Sequence, residues 1–432
     1  MVRYHWAERI VLNKKMVKIS KYTSYFKSIS QYFGASLIPM FLSLAVNPLI
    51  ALNMSPDDYA ISGYYTSFST LFSPLIVFYM LHYYTKRFFE VSEEERDLLR
   101  AMLVKSLIYF SGVISIFCFI GLLIYSKIFN SDSTIPFSPY AFLAIFSLPL
   151  TGTYSLMLTD LRMRRESGKF FNYSVLLGVI TFIFNLLFIV FFKWGAFGKL
   201  LVPFVSNLIF FLASCYYYRH LFHIPIESSQ LTEMVRFCFP LTIAAMLGFF
   251  SNGYDRVFLE RLGNDTELGY YSVGVQMATY ITVFQNAIGS TFQPDMFQAI
   301  ANRDKQKLVK VIFLLLGSVS FLVLVYIIAA PLMVRILTAG RYMLSVKYTQ
   351  IIALSALTSA MYYTVSQITI ALGKSSITLI TKIVTTILSI IMFSVLISKY
   401  EFIGASWGLV LSFVVSLVVN LVLIVLFKKI KK

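Results

Sequence analysis

The sequence predicts an all-α integral membrane protein of twelve transmembrane helices in two parallel six-helix lobes, and three observations predict it. Hydrophobic residues fill 58% of the 432 positions and charged residues only 13%, against roughly a quarter charged in soluble domains. That is more apolar surface than one globular core can bury. Apolar runs then recur at 32–54, 59–85, 98–125, 138–160, 171–192, 195–218, 236–256, 267–294, 308–334, 346–372, 376–398 and 402–427, each able to cross a hydrocarbon layer of about 30 Å as a helix. The runs lack the alternating ten-residue pattern of a membrane barrel, and helices satisfy every backbone group internally.

The third observation is a repeat. Asp58-Tyr59-Ala60 after the first span aligns with Glu267-Leu268-Gly269 after the seventh at an offset of 209 residues. Gly168-Lys169 before the fifth span matches Gly373-Lys374 before the eleventh at 205, and Gly195-Ala196 opening the sixth matches Gly404-Ala405 opening the twelfth at 209. Six spans per copy is an even number, so both copies cross with the same orientation.

Taken in order, residues 1–31 form a cytoplasmic tail with seven Lys and Arg between Arg3 and Lys27. It is too long and polar for the n-region of a cleavable signal, and Met16 opens an alternative start. The first lobe is 32–218, residues 219–235 link the lobes on the cytoplasmic side, the second lobe is 236–427, and 428–432 is a basic tail. Ser92 caps a polar turn, Glu93 to Glu95, that leads into the third span. With the N-terminus inside, the cytoplasmic segments hold 26 Lys and Arg and the opposite segments 8, which places both termini in the cytoplasm. The net charge of +17 therefore reports topology and attraction to anionic lipid, and no nucleic acid is expected. Cys118, Cys215 and Cys238 sit inside apolar runs without paired spacing and read as small hydrophobes. His220 and His223 in the link read as interfacial, and no metal or cofactor is expected.

The charges of DRVFLERLGNDTELGYYSVGVQMA, from Asp255 to Ala278, stand out between two apolar runs. This segment, the Gly-Lys entries to the fifth and eleventh spans, and the six-plus-six plan resemble the polysaccharide flippases of the multidrug/oligosaccharidyl-lipid/polysaccharide exporter superfamily, in the O-antigen repeat-unit (Wzx-type) branch. The resemblance covers about Tyr32 to Phe427 and implies a fold similar to the multidrug and toxin exporters (MATE) and to the peptidoglycan lipid flippase. It further implies a flippase of the bacterial inner membrane. Undecaprenyl-pyrophosphate-linked oligosaccharide would move from the cytoplasmic to the outer leaflet, with polysaccharide polymerase and chain-length machinery as partners.

Passage of an anionic sugar headgroup requires a hydrated lumen with hydrogen-bonding and cationic side chains. Gln276, Thr279, Tyr280, Asn286, Ser290 and Gln293 fall on one face of the eighth span, and Ser355, Ser359, Tyr362, Ser366 and Thr369 on a stripe of the tenth. Gln276, Tyr280 and Asn286 are candidate cavity residues, whereas the Ser and Thr positions equally suit helix-to-helix packing. Lys105, Lys199 and Lys382 lie inside spans, where each costs about 2.5–3.5 kcal/mol at a helix centre unless it snorkels to the headgroups. Asn252, Asp255 and Arg256 end the seventh span. They are candidates to face substrate or, with Glu260, to form a helix-end ion pair; the first copy has Val46 and Asn47 opposite Asp255 and Arg256.

All twenty Asp and Glu fall in loops or at span ends. A cation-coupled multidrug exporter of the same fold, the alternative function, is expected to bury a carboxylate mid-membrane. Asp160, Asp255 and Asp295 lie near span ends from which a side chain can reach a cavity. An enzyme reading lacks paired carboxylates and large soluble loops.

Overall fold

A computed structural model describes residues 30–88, 90–130, 133–371 and 375–430. The basic tail before Ser30 and the Gly373-Lys374 entry lie outside the described residues. Among the described residues every regular element is helical, and the apolar runs fall on helices, two of them interrupted.

The chain runs α1 (Ser30–Asn53), α2 (Pro56–Val77), α3 (Met80–Arg87), α4 (Glu93–Phe129), α5 (Tyr140–Met163) and α6 (Ser167–Asn185), which ends in a π-helical turn, Leu186–Phe191. It continues with α7 (Gly195–Tyr217), α8 (Ser228–Asn252), α9 (Tyr254–Glu260), α10 (Asp265–Ala301), α11 (Lys305–Leu337), α12 (Val346–Ala371) and α13 (Ser375–Ile430). Odd and even crossings define two ends: a proximal end near the start of α1 and the end of α13, and a distal end carrying the α1–α2 and α9–α10 turns.

By length and apolarity nine helices qualify as membrane spans among the described residues, the last, Ile380–Leu426, containing two of the expected runs. The two arms of α13 meet at Glu401, whose φ of 48° turns the chain back. Lys193 does the same between α6 and α7 with a φ of 55°, so the same left-handed turn serves both copies at almost the repeat offset. Two helices fall short of the apolar criterion, α2 and α10, and they are counterparts in the repeat.

Three expected boundaries differ. The second span is interrupted: Pro74 removes a backbone donor, and Phe78 and Tyr79 adopt φ values of 51° and 53° between α2 and α3. The seventh span does not end at Asp255 and Arg256; it breaks at Gly253 and resumes as α9 to Glu260. The stretch expected to link the lobes is partly helix, because α8 begins at Ser228. Ser92 caps as expected: Glu93 to Glu95 form the first turn of α4, and Ser92 and Glu95 form a reciprocal capping box, satisfying two otherwise unpaired N–H groups.

The repeat is built into the geometry of α2 and α10. Ser55 caps α2 by accepting from the Asp58 N–H, and Asn264 caps α10 by accepting from the Glu267 N–H; both pairs stand 209 residues apart, as the sequence alignment requires. The two helices pack directly on one another at the distal end. There the Thr266 hydroxyl donates to its own repeat counterpart, Asp57, at 3.3 Å. Gly63 faces its counterpart Ser272 so closely that a Cβ on the glycine would lie 2.4 Å from the serine Oγ. Equivalent residues touch only where a two-fold axis passes between them, so the pseudo-axis relating the halves runs through this contact.

Glycine is required at a second point of the same contact: a Cβ at Gly269 would stand 2.0 Å from the Pro56 carbonyl oxygen. Small residues permit such backbone approach. Gly269→Val is expected to force α2 and α10 apart, destabilising the protein by about 1–3 kcal/mol, seen as a lower thermal midpoint of the detergent-solubilised protein. Gly248→Val, at a position with open space around it, serves as the control and should leave the midpoint near wild type.

Candidate functional site

The helices α1, α2, α9 and α10 meet around the pseudo-axis, and their polar side chains bridge the halves. Arg256 on α9 donates from Nη1 to the Gly63 carbonyl of α2 at 3.2 Å, while its Nε is buried without a hydrogen-bond partner. At the matching position of the first half, Asn47 on α1 is 3% exposed. Its amide donates to the Tyr280 hydroxyl and accepts from the Gln276 amide at 3.5 Å, both on α10. The pair expected to be asymmetric is thus symmetric in role: Arg256 and Asn47 each reach across to the partly polar helix of the other half. Sequence reasoning treated Asn47 only as the absence of a charge; a lone amide in an apolar run at the repeat position of Arg256 was the available signal.

The expected helix-end ion pair does not form. Asp255 is 2% exposed and accepts from the Tyr271 hydroxyl at 2.5 Å. Glu260 turns away from Arg256, accepting from the Asn130 amide at 2.8 Å and from the Ser133 hydroxyl. Burial decides this: on α9 the carboxylates point into the interhelical contact, where neutral donors from α10 and from the loop after α4 satisfy them. The side chain of Asn252 lies outside the described ones.

A second ring of contacts closes the distal end. Arg341, between α11 and α12, donates to the Leu52 carbonyl at 2.7 Å, and the Tyr342 hydroxyl to the Met54 carbonyl at 2.7 Å. These satisfy carbonyls that a helix C-terminus leaves open. The Thr134 hydroxyl meets Asp265 at 2.5 Å. Each half therefore sends its loop between third and fourth spans onto the end of the other half's first span. At the proximal end the halves are tied between α3 and α8, by Arg87 and Glu233 at 3.5 Å and by Lys86 4.8 Å over the Phe237 ring.

The intramembrane lysines divide. Lys105 donates from Nζ to the Ile224 carbonyl at 2.5 Å, anchoring the segment between the halves rather than lining a cavity. Lys199 on α7 is half-buried and carries no hydrogen bond or ion pair among the described residues. Lys382 on α13 is half-buried with Nζ 5.3 Å from the Tyr362 ring centre, a cation–π contact without a carboxylate.

The polar stripes of the eighth and tenth spans come together. A cavity of about 280 Å³ opens between α10, α12 and the second arm of α13, lined by Thr279, Thr282, Gln285, Asn286, Ser355, Ser359 and Tyr363 among others. Asn286 is exposed to it. Gln276 and Tyr280 are instead taken up by Asn47, one helical turn toward the distal end. Thr369 is buried and bonded to Asn420 at 3.5 Å, a packing role.

Of the three acids near span ends that could reach a cavity, Asp160 is fully buried, bonded by Tyr84 at 2.5 Å and Arg100 at 3.0 Å; Asp255 is held by Tyr271, and Asp295 is exposed. Neither buried carboxylate lines the cavity. Among the described residues no cluster of three metal-ligating side chains occurs.

The fold is that of the MOP-superfamily transporters. A multidrug-resistance MATE-family transporter of that superfamily, in an inward-facing conformation, superposes with a TM-score of 0.68 at 15% identity over 92% of this chain and 99% of its own. The lipid II flippase MurJ, in an inward closed conformation, gives 0.71 at 13% identity over 92% and 87%. An outward-facing MATE transporter gives 0.53 at 12% over 91% and 94%. No curated protein matches by sequence. Within that fold the chain belongs to the polysaccharide biosynthesis protein family, whose pattern it matches over residues 26–300. Nine of its described helices are long and apolar enough to cross a membrane, and it is a multi-pass membrane protein with the fold of these transporters.

Asp160→Ala is expected to leave Arg100 with Asp97 alone, at 2.6 Å, and the buried Tyr84 hydroxyl without its acceptor, a loss of about 1–3 kcal/mol. Its thermal midpoint should fall well below that of Asp295→Ala, which should stay near wild type.

Proposed function

We propose that the protein flips an undecaprenyl-pyrophosphate-linked oligosaccharide, an O-antigen or other surface-polysaccharide repeat unit, from the cytoplasmic to the outer leaflet by alternating access. The observation that carries this is the pairing of a distally closed junction with a neutral polar cavity and unpaired cations. Arg256 holds a buried Nε without a partner, and among the described residues Lys199 and Lys382 have no carboxylate partner. Such groups complement a pyrophosphate, while the prenyl tail stays in lipid. Membership of a polysaccharide biosynthesis family supports the cargo, and the excess of Lys and Arg at the proximal end supports its facing the cytoplasm.

In this reading the lobes 32–218 and 236–427 pivot about the α2–α10 contact. The headgroup enters from the proximal side, and the distal latches at Leu52, Met54 and Glu260 release as the proximal tie between α3 and α8 tightens or shifts. Polymerase and chain-length machinery are the partners that receive the product.

Loss of the gene is expected to make lipid-linked repeat units accumulate on the cytoplasmic face; no accumulation, with raised drug sensitivity instead, supports the multidrug reading and ends this one. In reconstituted vesicles Arg256→Ala and Lys382→Ala should lower flipping at unchanged protein level, with reduced abundance assigning the residue to packing. Thr134→Cys with Asp265→Cys, at a distal latch where the native side chains meet at 2.5 Å, oxidised in a background without the native thiols, should lock the distal end and halt transport, which reductant restores.

A further inference from the structure

We propose that the cavity between α10, α12 and the second arm of α13 is a subsite for one uncharged sugar ring of the headgroup, read by Gln285, Asn286, Ser355 and Tyr363. The proposal rests on the flippase reading above and adds what the site selects.

The argument begins with what lines the space. Its polar groups are amides and hydroxyls, with no Asp, Glu, Lys, Arg or His among the lining residues. Stripes of Ser and Thr are common helix-packing devices, and several hydroxyls here are so used: Thr279 donates to the Val275 carbonyl at 2.9 Å and Thr282 to the Thr279 carbonyl at 2.7 Å. Gln285 is different. It is 7% exposed, and Ser359 donates to its Oε1 at 3.4 Å. Its amide nitrogen has no hydrogen-bond partner among the described residues, although it lines the cavity. The amide nitrogen is therefore open to the cavity and able to donate to a molecule that fills it.

Asn286, next along α10, is exposed, and Tyr363 is 43% exposed; among the described residues neither side chain has a hydrogen-bond partner. Amide and hydroxyl groups both donate and accept, as sugar hydroxyls do. The Tyr363 and Phe413 rings, 6.1 Å apart and inclined at 55°, add faces on which the axial C–H groups of a pyranose can rest.

Charge and size narrow the ligand. A carboxylate entering a neutral, partly buried site gives up hydration without a countercharge; Lys382 stands behind the Tyr362 ring, one aromatic layer from Tyr363. The volume of about 280 Å³ is at the lower bound of small-molecule sites, roughly 300–1,000 Å³, on the scale of a single sugar ring rather than an oligosaccharide. The cations Arg256 and Lys199 lie on other helices, so the pyrophosphate and this ring occupy separate places.

The test uses the full chain in vesicles with three probes: a short polyprenyl pyrophosphate, the same lipid bearing N-acetylglucosamine, and the same lipid bearing a hexuronic acid. The readout is the ratio of sugar-bearing to sugar-free flipping rates. Gln285→Leu, Asn286→Leu and Tyr363→Phe should each lower the N-acetylglucosamine ratio about fivefold, the loss of one hydrogen bond, and Asn286→Lys should raise the hexuronic-acid ratio. Asn286 and Tyr363 are exposed, so their variants stay informative where Gln285→Leu folds poorly. Wild-type protein that moves the N-acetylglucosamine lipid with ratios unchanged in every variant overturns the subsite and leaves the flippase reading standing. Wild-type protein that moves no probe overturns both.

Discussion

The close approach of α2 and α10 at the distal end is the constraint on which the other features depend. Gly63 against Ser272 and Gly269 against the Pro56 carbonyl bring two backbones within contact distance. The pseudo-axis passes between them, so each half is positioned by touching its own copy. A membrane offers little hydrophobic drive for helix association, and the halves are held instead by close packing and by hydrogen bonds that lipid cannot replace. The bridges of Arg256 and Asn47, and the two loops latched on opposite first spans, follow from that placement.

The same contact explains why α2 and α10 are the least apolar of the long helices. They face each other and the interior rather than lipid, so Ser, Thr, Tyr and Gln are tolerated along them, and the polar surface left over on α10 becomes cavity wall. The break at Gly253 falls three residues before Arg256, beside this junction, whereas the break at Phe78-Tyr79 lies at the other end of α2, next to the proximal tie between α3 and α8.

Much of the candidate site was legible and some of it was misassigned. The stripe on α10 was correctly recognised as one face, but hydrophobic period alone could not say where along it the other half ends. Gln276 and Tyr280 fall under Asn47, and Asn286 falls beyond it, in open space. Lys105 was readable as an intramembrane cation, yet its partner, the Ile224 carbonyl, is 119 residues away. Glu260 was expected to pair within its own helix; the direction of its side chain into the loop after α4 depends on a contact 130 residues distant.

The sequence by itself determined the class, the twelve apolar runs, the parallel repeat at offset 209 and the absence of carboxylates from span centres, because these are properties of local composition and periodicity. Tertiary structure alone decided which side chains are consumed in holding the halves together and which remain free. That Asp255 serves Tyr271, that Asn47 is the counterpart of Arg256 in role, and that Gln285 keeps an unpaired amide are outcomes of long-range packing. A hydrogen bond is satisfied by whichever partner the fold brings within reach, and for Arg256, Asn47, Glu260 and Arg341 that partner belongs to the other half.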